Sequence, residues 1–279
     1  YYAVLDLKNT AEQKQTAIKD LGGKLIDKPS NDKTPIQDFI QARLMFLNYE
    51  KEQWHFIDQF KNASVAIDQD TNLYSPQEGN ISLAQELSAQ IKSPSFEVSY
   101  GKINLKYIVC GAGTGGTATT LGKHFNPSRE KGKPQLVVVD PENSMFVSGF
   151  AEYHNLQPRP SVEPKPSRIE GIGRPRVEAS FNPSVVSRML IVPDNGSIAA
   201  LKHFSSNPPV HYQSNAQIGG SSGTCLMGAY YLINEMLKNK EKGDIVTFIF
   251  DSGEYYQTTY HQADSRQWLI ANNLNNFDD

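Results

Sequence analysis

Residues 106–117 read KYIVCGAGTGGT, and this stretch decides the fold of the 279-residue chain. Its apolar first half predicts a buried strand over 106–110, and its glycines predict a tight turn into a helix that runs to about His124. Glycines let backbone N–H groups approach an anion closely, and the N-terminus of a helix adds a positive dipole end. We therefore expect the loop 111–117 to bind a phosphate group.

Further strands and helices alternate along the chain after this loop. Strands are expected at 135–139, 189–192 and 245–250, and helices at 197–204 and 223–238. Strands with little polar interruption that alternate with helices indicate an α/β protein whose parallel sheet is covered on both faces.

The first part of the chain predicts one β-α-β step, with strands at 1–7 and 24–26 and a helix that ends near Asp20. A second helix over 34–47 leads to a strand at 54–57, and a later helix carries Leu83, Leu87 and Ile91.

Two long stretches lack such patterns. Residues 58–79 read as a polar loop, and residues 141–183 are rich in Pro, Gly and Arg. In a compact domain a loop as long as 141–183 is more often functional than a linker.

Composition narrows the function class. A net charge of -3 and a pI near 6.1, without a basic run, lack the electrostatic footprint of a nucleic-acid-binding protein. No apolar run approaches the roughly 20 residues that a membrane span needs. Cys110 and Cys225 lie outside any metal-ligand spacing, so we expect no metal site and a reducing, cytoplasmic compartment.

The glycine loop alone is compatible with two kinds of phosphate ligand. Gly111, Gly113 and Gly116 satisfy the GxGxxG pattern of a nicotinamide dinucleotide-binding Rossmann domain, and Asp140 ends the next strand at about the spacing of a ribose-binding acid. Three further segments are not required by a dinucleotide fold. They are EGIG at 170–173, GGSSGT at 219–224 and DSGEYY at 251–256.

Taken in order with GTGGT at 113–117 and VDPENS at 139–144, these segments resemble the pyridoxal-phosphate enzymes of the cysteine synthase and cystathionine β-synthase family, the fold type II group. The stretch IEGIGRPRVEASF at 169–181 is most similar to a branch that includes cysteine desulfhydrases. The resemblance implies a tryptophan synthase β-like architecture with two three-layer domains and largely parallel sheets. Residues 1–58 would be the remainder of the small mobile domain, and residues 59–279 the large cofactor-binding domain of a homodimer.

The resemblance also implies roles for individual residues. The phosphate of pyridoxal 5'-phosphate would be held by Gly113, Thr114, Gly115, Gly116 and Thr117. The Ser252 hydroxyl would meet the pyridine nitrogen and keep it unprotonated, which favours chemistry at the β-carbon, and Asp251 is a neighbour of undefined role.

Substrate binding is implied for two segments. Gln59, within the similar stretch 57–64, would bind the substrate carboxylate, and Gly171, Ile172 and Gly173 would form a mobile segment that closes over the substrate. An ordinary surface amide and a simple turn are the alternatives for these two segments.

The Schiff-base lysine that such catalysis requires is absent from its expected context. Lys8, Lys61 and Lys123 lie in the wrong surroundings, so no catalytic residue is assigned. One explanation is that roughly 80 to 100 preceding residues belong to the enzyme. The other is a non-catalytic remnant that serves as a binding or assembly module.

The expected reaction is β-replacement or β-elimination on a small amino acid. The first makes cysteine from an activated serine and sulfide, and the second releases hydrogen sulfide, pyruvate and ammonia from cysteine. Two further groups of side chains have alternative roles. The Cys225 thiol could be activated at a helix N-terminus or simply buried, and Arg168, Arg174 and Arg176 could bind a carboxylate or be ordinary charged residues.

Overall fold

A computed structural model describes residues 1–5, 7, 10, 12–27, 59–67, 82–157, 167–209, 217–261 and 269–271. The elements are β1 (Tyr2–Leu5), α1 (Glu12–Asp20), β2 (Lys24–Asp27), α2 (Gln59–Ile67), α3 (Leu83–Ile91), α4 (Pro94–Tyr100), β3 (Leu105–Gly111), α5 (Gly116–Phe125), β4 (Gln135–Asp140), α6 (Phe146–Tyr153), β5 (Arg188–Ile191), α7 (Asp194–Ser206), α8 (Gly220–Lys238) and β6 (Asp244–Thr247), with 3₁₀ turns at Pro183–Val185 and Gly253–Tyr256.

Four of the strands form one parallel sheet in the order β5-β4-β3-β6. Strands β1 and β2 form a separate parallel pair around α1, which confirms the predicted β-α-β step. The prediction of an α/β fold with parallel sheets is correct for the part of the chain that the structure describes.

Both faces of the larger sheet are buried. Successive side chains of a strand point to opposite faces, so neighbouring residues of one strand lie in different core clusters. Val109 and Val137 lie in one core cluster with Leu232 of α8. Cys110 and Val138 lie in the other, with Leu121 of α5. A strand buried on both sides needs a continuous apolar sequence, which is why 106–110 and 135–139 show no alternation.

The strand order reverses at β3. The chain builds β3, β4 and β5 outward in one direction and then returns to place β6 on the other side of β3. In open α/β sheets, ligands bind beyond the carboxyl ends of the strands at such a reversal. The loops that follow β3 and β6 are the glycine loop at 111–117 and the segment 251–256.

Two stretches predicted as loops contain helices. Residues 59–67 form α2 within the expected loop 58–79, and Phe146–Tyr153 form α6 within the expected loop 141–183. Ala63 is buried where α2 packs against α5, while Phe146 and Phe150 are buried one helical turn apart. Tertiary packing therefore overrides the polar composition of the first stretch, and the second contains an apolar helix.

Element ends shift by a few residues from the expected bounds. Strand β6 ends at Thr247 instead of Phe250, and α7 and α8 each begin three residues earlier than predicted. The expected helix 34–47 and strand 54–57 lie outside the described residues.

Candidate functional site

The first glycine loop joins β3 to α5 in a conformation that requires glycine. Gly115 has φ = +88° and is the N-cap of α5, where no side chain caps the helix. The first helical hydrogen bond runs from the Thr119 N–H to the Gly115 carbonyl at 2.9 Å. The amides of 116–118 therefore precede the helical ladder and are the natural donors to an anion. Gly113, Thr114 and Thr117 lie in the same turn.

The EGIG segment lies directly on this loop. A Cβ built on Gly113 would overlap the carbonyl oxygen of Gly171, and one built on Gly111 would lie 2.6 Å from Cδ1 of Ile172. The Gly173 N–H donates to the Ala112 carbonyl at 2.9 Å. Gly171 and Gly173 have φ values of +87° and +75°, which only glycine adopts readily. The structure thus brings together two of the predicted segments.

The second glycine loop, 219–224, opens α8 and runs beside the segment 251–256. The Gly219 N–H donates to the Asp251 carbonyl at 3.0 Å, and Ile218 and Ser252 form an antiparallel bridge. The Phe250 N–H donates to Oγ of Ser222 at 3.0 Å. These contacts place the start of α8 at the same edge of the sheet as the loop that follows β6.

Asp251 and Ser252 have different surroundings. The Asp251 carboxylate is packed against Gly219 and accepts a 2.6 Å hydrogen bond from the Tyr256 hydroxyl. Ser252 is exposed, and its Oγ accepts a 3.3 Å hydrogen bond from the Glu254 N–H, which leaves the hydroxyl proton available to another acceptor. The serine is therefore better placed than the aspartate to meet a ligand.

Two stacked tyrosines support this edge of the site. The rings of Tyr256 and Tyr260 lie 4.9 Å apart, and the Tyr260 hydroxyl accepts a 2.7 Å hydrogen bond from the Gly220 N–H. Burial raises the pKa of both hydroxyls above the ordinary tyrosine value. Both therefore remain neutral, and Tyr256 keeps the proton that it donates to Asp251.

A lysine from the first part of the chain reaches the same cluster. The Lys14 ammonium, on α1, lies 3.2 Å from Oε1 of Glu170 and donates to the Tyr256 hydroxyl at 2.9 Å. It also lies 4.6 Å from the centre of the Tyr256 ring. Sequence reasoning missed this contact because Lys14 and Tyr256 are 242 residues apart and no local pattern connects them.

Helix α2 brings Phe60 to the residue that follows the EGIG segment. Gln59 is the exposed first residue of α2, and the Phe60 carbonyl accepts a 3.3 Å hydrogen bond from the Ser180 N–H. The Phe60 ring centre lies 5.1 Å from Cζ of Arg174, the residue that follows EGIG.

Asp140 and Cys225 are committed to the core. Asp140 is fully buried, and its Oδ2 accepts a 3.1 Å hydrogen bond from the Val147 N–H in the first turn of α6, so the carboxylate is not presented as a ribose ligand. Burial raises the pKa of Cys225 well above the ordinary thiol value, helped by Cys110, and raises that of Cys110 to about 12. The plain alternative for Cys225, a small buried helix residue, is the observed one.

The family profile described as "Pyridoxal-phosphate dependent enzyme" matches residues 3–251. The L-cysteine desulfhydrase of Mycobacterium tuberculosis is 40% identical over 221 residues, which cover 79% of this chain and 52% of that protein. The cystathionine beta-synthase of Saccharomyces cerevisiae is 29% identical over 218 residues, which cover 76% of this chain and 37% of that protein.

A solved structure, that of O-ureido-L-serine synthase, superposes with a TM-score of 0.65 at 18% identity, over 96% of this chain and 72% of that one. This likeness shows the fold, and the predicted fold type II architecture is confirmed. The chain spans about half of the length of the L-cysteine desulfhydrase and 37% of the cystathionine beta-synthase. Among the described helices, none has the length and apolar character needed to cross a membrane.

Proposed function

Since this chain belongs to the pyridoxal-phosphate dependent enzyme family, we propose that the protein acts on the β-carbon of a small amino acid, with desulfhydration of L-cysteine as the favoured reaction. The observation that carries the proposal is the meeting of the EGIG segment with the first glycine loop at the reversal of strand order. The similarity to an L-cysteine desulfhydrase favours elimination over replacement.

The first glycine loop fits the phosphate of the cofactor. The uncapped start of α5 provides backbone amides, and the absence of a Cβ at Gly113 and Gly115 leaves the loop closely packed on Gly171 and Phe181. We assign Gly113, Thr114, Gly115, Gly116 and Thr117 to the phosphate, with both threonine hydroxyls as additional donors.

The environment of Ser252 fits a neutral pyridine nitrogen. A carboxylate in contact with that nitrogen would protonate it, but the Asp251 carboxylate is bound by Tyr256 and packed on Gly219. We therefore assign the hydroxyl of Ser252 as the donor to the ring nitrogen. This choice favours reaction at the β-carbon over other fates of the substrate.

When bound, the cofactor supplies the electron sink that makes the substrate's α-proton acidic. Around it, Gln59 is assigned to the substrate carboxylate, and Gly171, Ile172 and Gly173 are assigned to a segment that closes over the substrate and excludes water. No lysine among residues 1–279 is assigned to the transfer of the α-proton.

The test has a binding part and a product part. Pyridoxal phosphate titrated into the protein should bind saturably, with a change in its own absorbance spectrum that gives a dissociation constant. Turnover requires a chain that also supplies the Schiff-base lysine, and such a chain, once loaded, should release sulfide and pyruvate from L-cysteine. Formation of cysteine from O-acetylserine and sulfide, without pyruvate, would identify replacement as the reaction instead.

Two results would contradict the proposal. A chain that does not bind pyridoxal phosphate saturably would favour the non-catalytic module. Tight binding of a nicotinamide dinucleotide would favour the Rossmann alternative.

Organisation and location complete the proposal. We assign residues 1–58 to the small mobile domain, residues 59–279 to the cofactor-binding domain, and the working state to a cytoplasmic homodimer. The division is supported by β1 and β2, which form a sheet of their own, and by α1 between them, which has no buried residue. Light scattering at micromolar concentration measures the oligomeric state.

A further inference from the structure

The charges that follow the EGIG segment are not balanced. Arg176 and Glu178 form an ion pair, with Nε of Arg176 lying 3.2 Å from both carboxylate oxygens. The Glu178 side chain is only 6% exposed, so its charge is committed to that pair. Arg174, two residues earlier, has no ion pair among the described residues, which leaves one positive charge in excess at this position.

The guanidinium of Arg174 is partly desolvated as well as unpaired. Its Nη1 donates to the Gly173 carbonyl at 3.2 Å, whereas its Nε is buried and has no hydrogen-bond partner within the described part of the chain. One face of the guanidinium packs on the Phe60 ring. Burial lowers the pKa of Arg174, and the nearby Glu178 opposes that effect. A buried charge without a partner is destabilising unless a ligand completes it.

Hydrogen bonds of its main chain fix the position of Arg174. The Arg174 N–H donates to Oγ of Ser144 at 3.0 Å, and the Arg174 carbonyl accepts from the Met145 N–H at 2.9 Å. Gly173, immediately before it, is bonded to Ala112 in the first glycine loop. The Arg174 backbone is therefore fixed beside the proposed phosphate loop, and its guanidinium packs on Phe60, the residue that follows Gln59 in α2.

We propose that Arg174 is a specificity-determining residue that binds the carboxylate of the amino-acid substrate together with Gln59. A guanidinium fork matches a carboxylate through two parallel hydrogen bonds, which an amide cannot supply. This inference rests on the proposed function, because it takes the substrate from that assignment. It adds a charged side chain to the carboxylate site, which the resemblance did not name. Of the three candidate arginines, it assigns this role to Arg174 and not to Arg168 or Arg176.

The experiment compares two probes that differ by a carboxylate. L-alanine has no β-leaving group and is not turned over, and ethylamine lacks the carboxylate. On protein loaded with pyridoxal phosphate, Arg174→Gln should raise the dissociation constant of L-alanine by roughly tenfold to a hundredfold and leave that of ethylamine unchanged. The dissociation constant of L-alanine for Arg174→Lys should lie between those of the parent and Arg174→Gln. Arg168→Gln removes an exposed arginine from the same segment and is the matched control, which should bind L-alanine like the parent.

A second measurement separates binding from a structural role. Because Arg174 is partly buried and has no ion pair within the described part of the chain, Arg174→Met should unfold at the same temperature as the parent or a higher one in the absence of substrate. A clear fall in the unfolding temperature would make Arg174 a structural residue and overturn the inference.

Three outcomes of the binding experiment differ in what they reject. Unchanged L-alanine affinity in Arg174→Gln, with pyridoxal phosphate still bound, would reject this inference alone. Loss of pyridoxal-phosphate affinity in that variant would place the guanidinium on the cofactor phosphate and also reject it. A parent protein that binds no pyridoxal phosphate would reject the proposed function and this inference with it.

Discussion

Gly113 is the residue at which the first glycine loop and the EGIG segment touch. In Gly113→Ala the new methyl group would overlap the Gly171 carbonyl oxygen, and the Gly173–Ala112 hydrogen bond holds the two segments together beside it. Overpacking of this kind lowers stability by about 1–3 kcal/mol. We expect that loss in urea unfolding, together with at least a tenfold (~1.4 kcal/mol) weaker binding of pyridoxal phosphate by absorbance titration.

The matched control is Gly196→Ala in α7. A Cβ there would lie at an ordinary 3.5 Å from Met227 and Pro193, so stability should be unchanged or slightly higher. Parental cofactor affinity in Gly113→Ala would contradict the close contact between the two segments.

The thiol of Cys110 makes the stability of the folded protein depend on pH in the alkaline range. Its pKa rises from an unperturbed value of 9.0 to about 12 through burial, so the unfolded chain loses this proton at lower pH than the folded chain. The contribution of the protonated Cys110 thiol to the free energy of unfolding is fully present below pH 9 and is lost as the pH rises towards about 12. The free energy of unfolding falls over this range by at most ~1.4 kcal/mol per pH unit.

Urea unfolding at pH 8, 9 and 10 measures this slope. Cys110→Ala should flatten it relative to the parent, although its stability at pH 8 is lower because a buried side chain is shortened. Equal slopes in the two proteins would show that Cys110 is not protected by the fold.

At the scale of elements, Lys14 joins α1 to two segments of the site. Lys14→Met removes the ion pair to Glu170 and the hydrogen bond to Tyr256, and should lower stability by about 0.5–1.5 kcal/mol. Lys19→Met, at an exposed position of the same helix, should have no measurable effect.

A double-mutant cycle with Glu170→Gln tests whether the pair itself carries this loss. The coupling energy should be about 0.5–1 kcal/mol, since both side chains are 29% exposed. Faster amide hydrogen exchange at 170–173 in Lys14→Met is expected alongside it. Strict additivity of the two substitutions would mean that the two charges do not interact in solution.

The elements differ in how well the sequence predicts them, and the reason is burial. Strands β3 and β4 were predictable because burial on both faces imposes a continuous apolar run. Helix α2 was missed because Gln59, Lys61 and Asn62 face outward and only its packing against α5 makes it a helix. Helix α6 did carry a signal, the Phe146 and Phe150 pair at i and i+4, which the surrounding Pro and Gly obscured.

The same contrast holds for the site. The glycine segments were recognisable because close backbone approach demands glycine at fixed positions. The role of Asp251 could not be inferred, because its partner Tyr256 becomes relevant only once the 3₁₀ turn Gly253–Tyr256 directs that hydroxyl back. Likewise, the excess charge at Arg174 depends on which of two arginines pairs with Glu178, and that is decided in three dimensions.

For the whole molecule, the two core clusters predict where an independent folding unit begins. Both clusters are drawn from residues after position 59, and α1 contributes no buried residue to them. Polar contacts from residues 1–27 to the remainder include those of Lys14 and a 3.2 Å hydrogen bond from the Thr258 hydroxyl to Oε1 of Gln13. Residues 59–279 expressed alone should therefore unfold cooperatively, at a stability about 1–3 kcal/mol below the complete chain.

This fragment should also bind pyridoxal phosphate, since the first glycine loop, the EGIG segment and Ser252 all lie within it. Its affinity should resemble that of Lys14→Met in the complete chain, because both lack the same link to Glu170 and Tyr256. Circular dichroism in urea and absorbance titration measure the two properties. Gradual unfolding without a transition would show that residues 1–58 are part of the same cooperative unit, and the proposed boundary at position 58 would then be wrong.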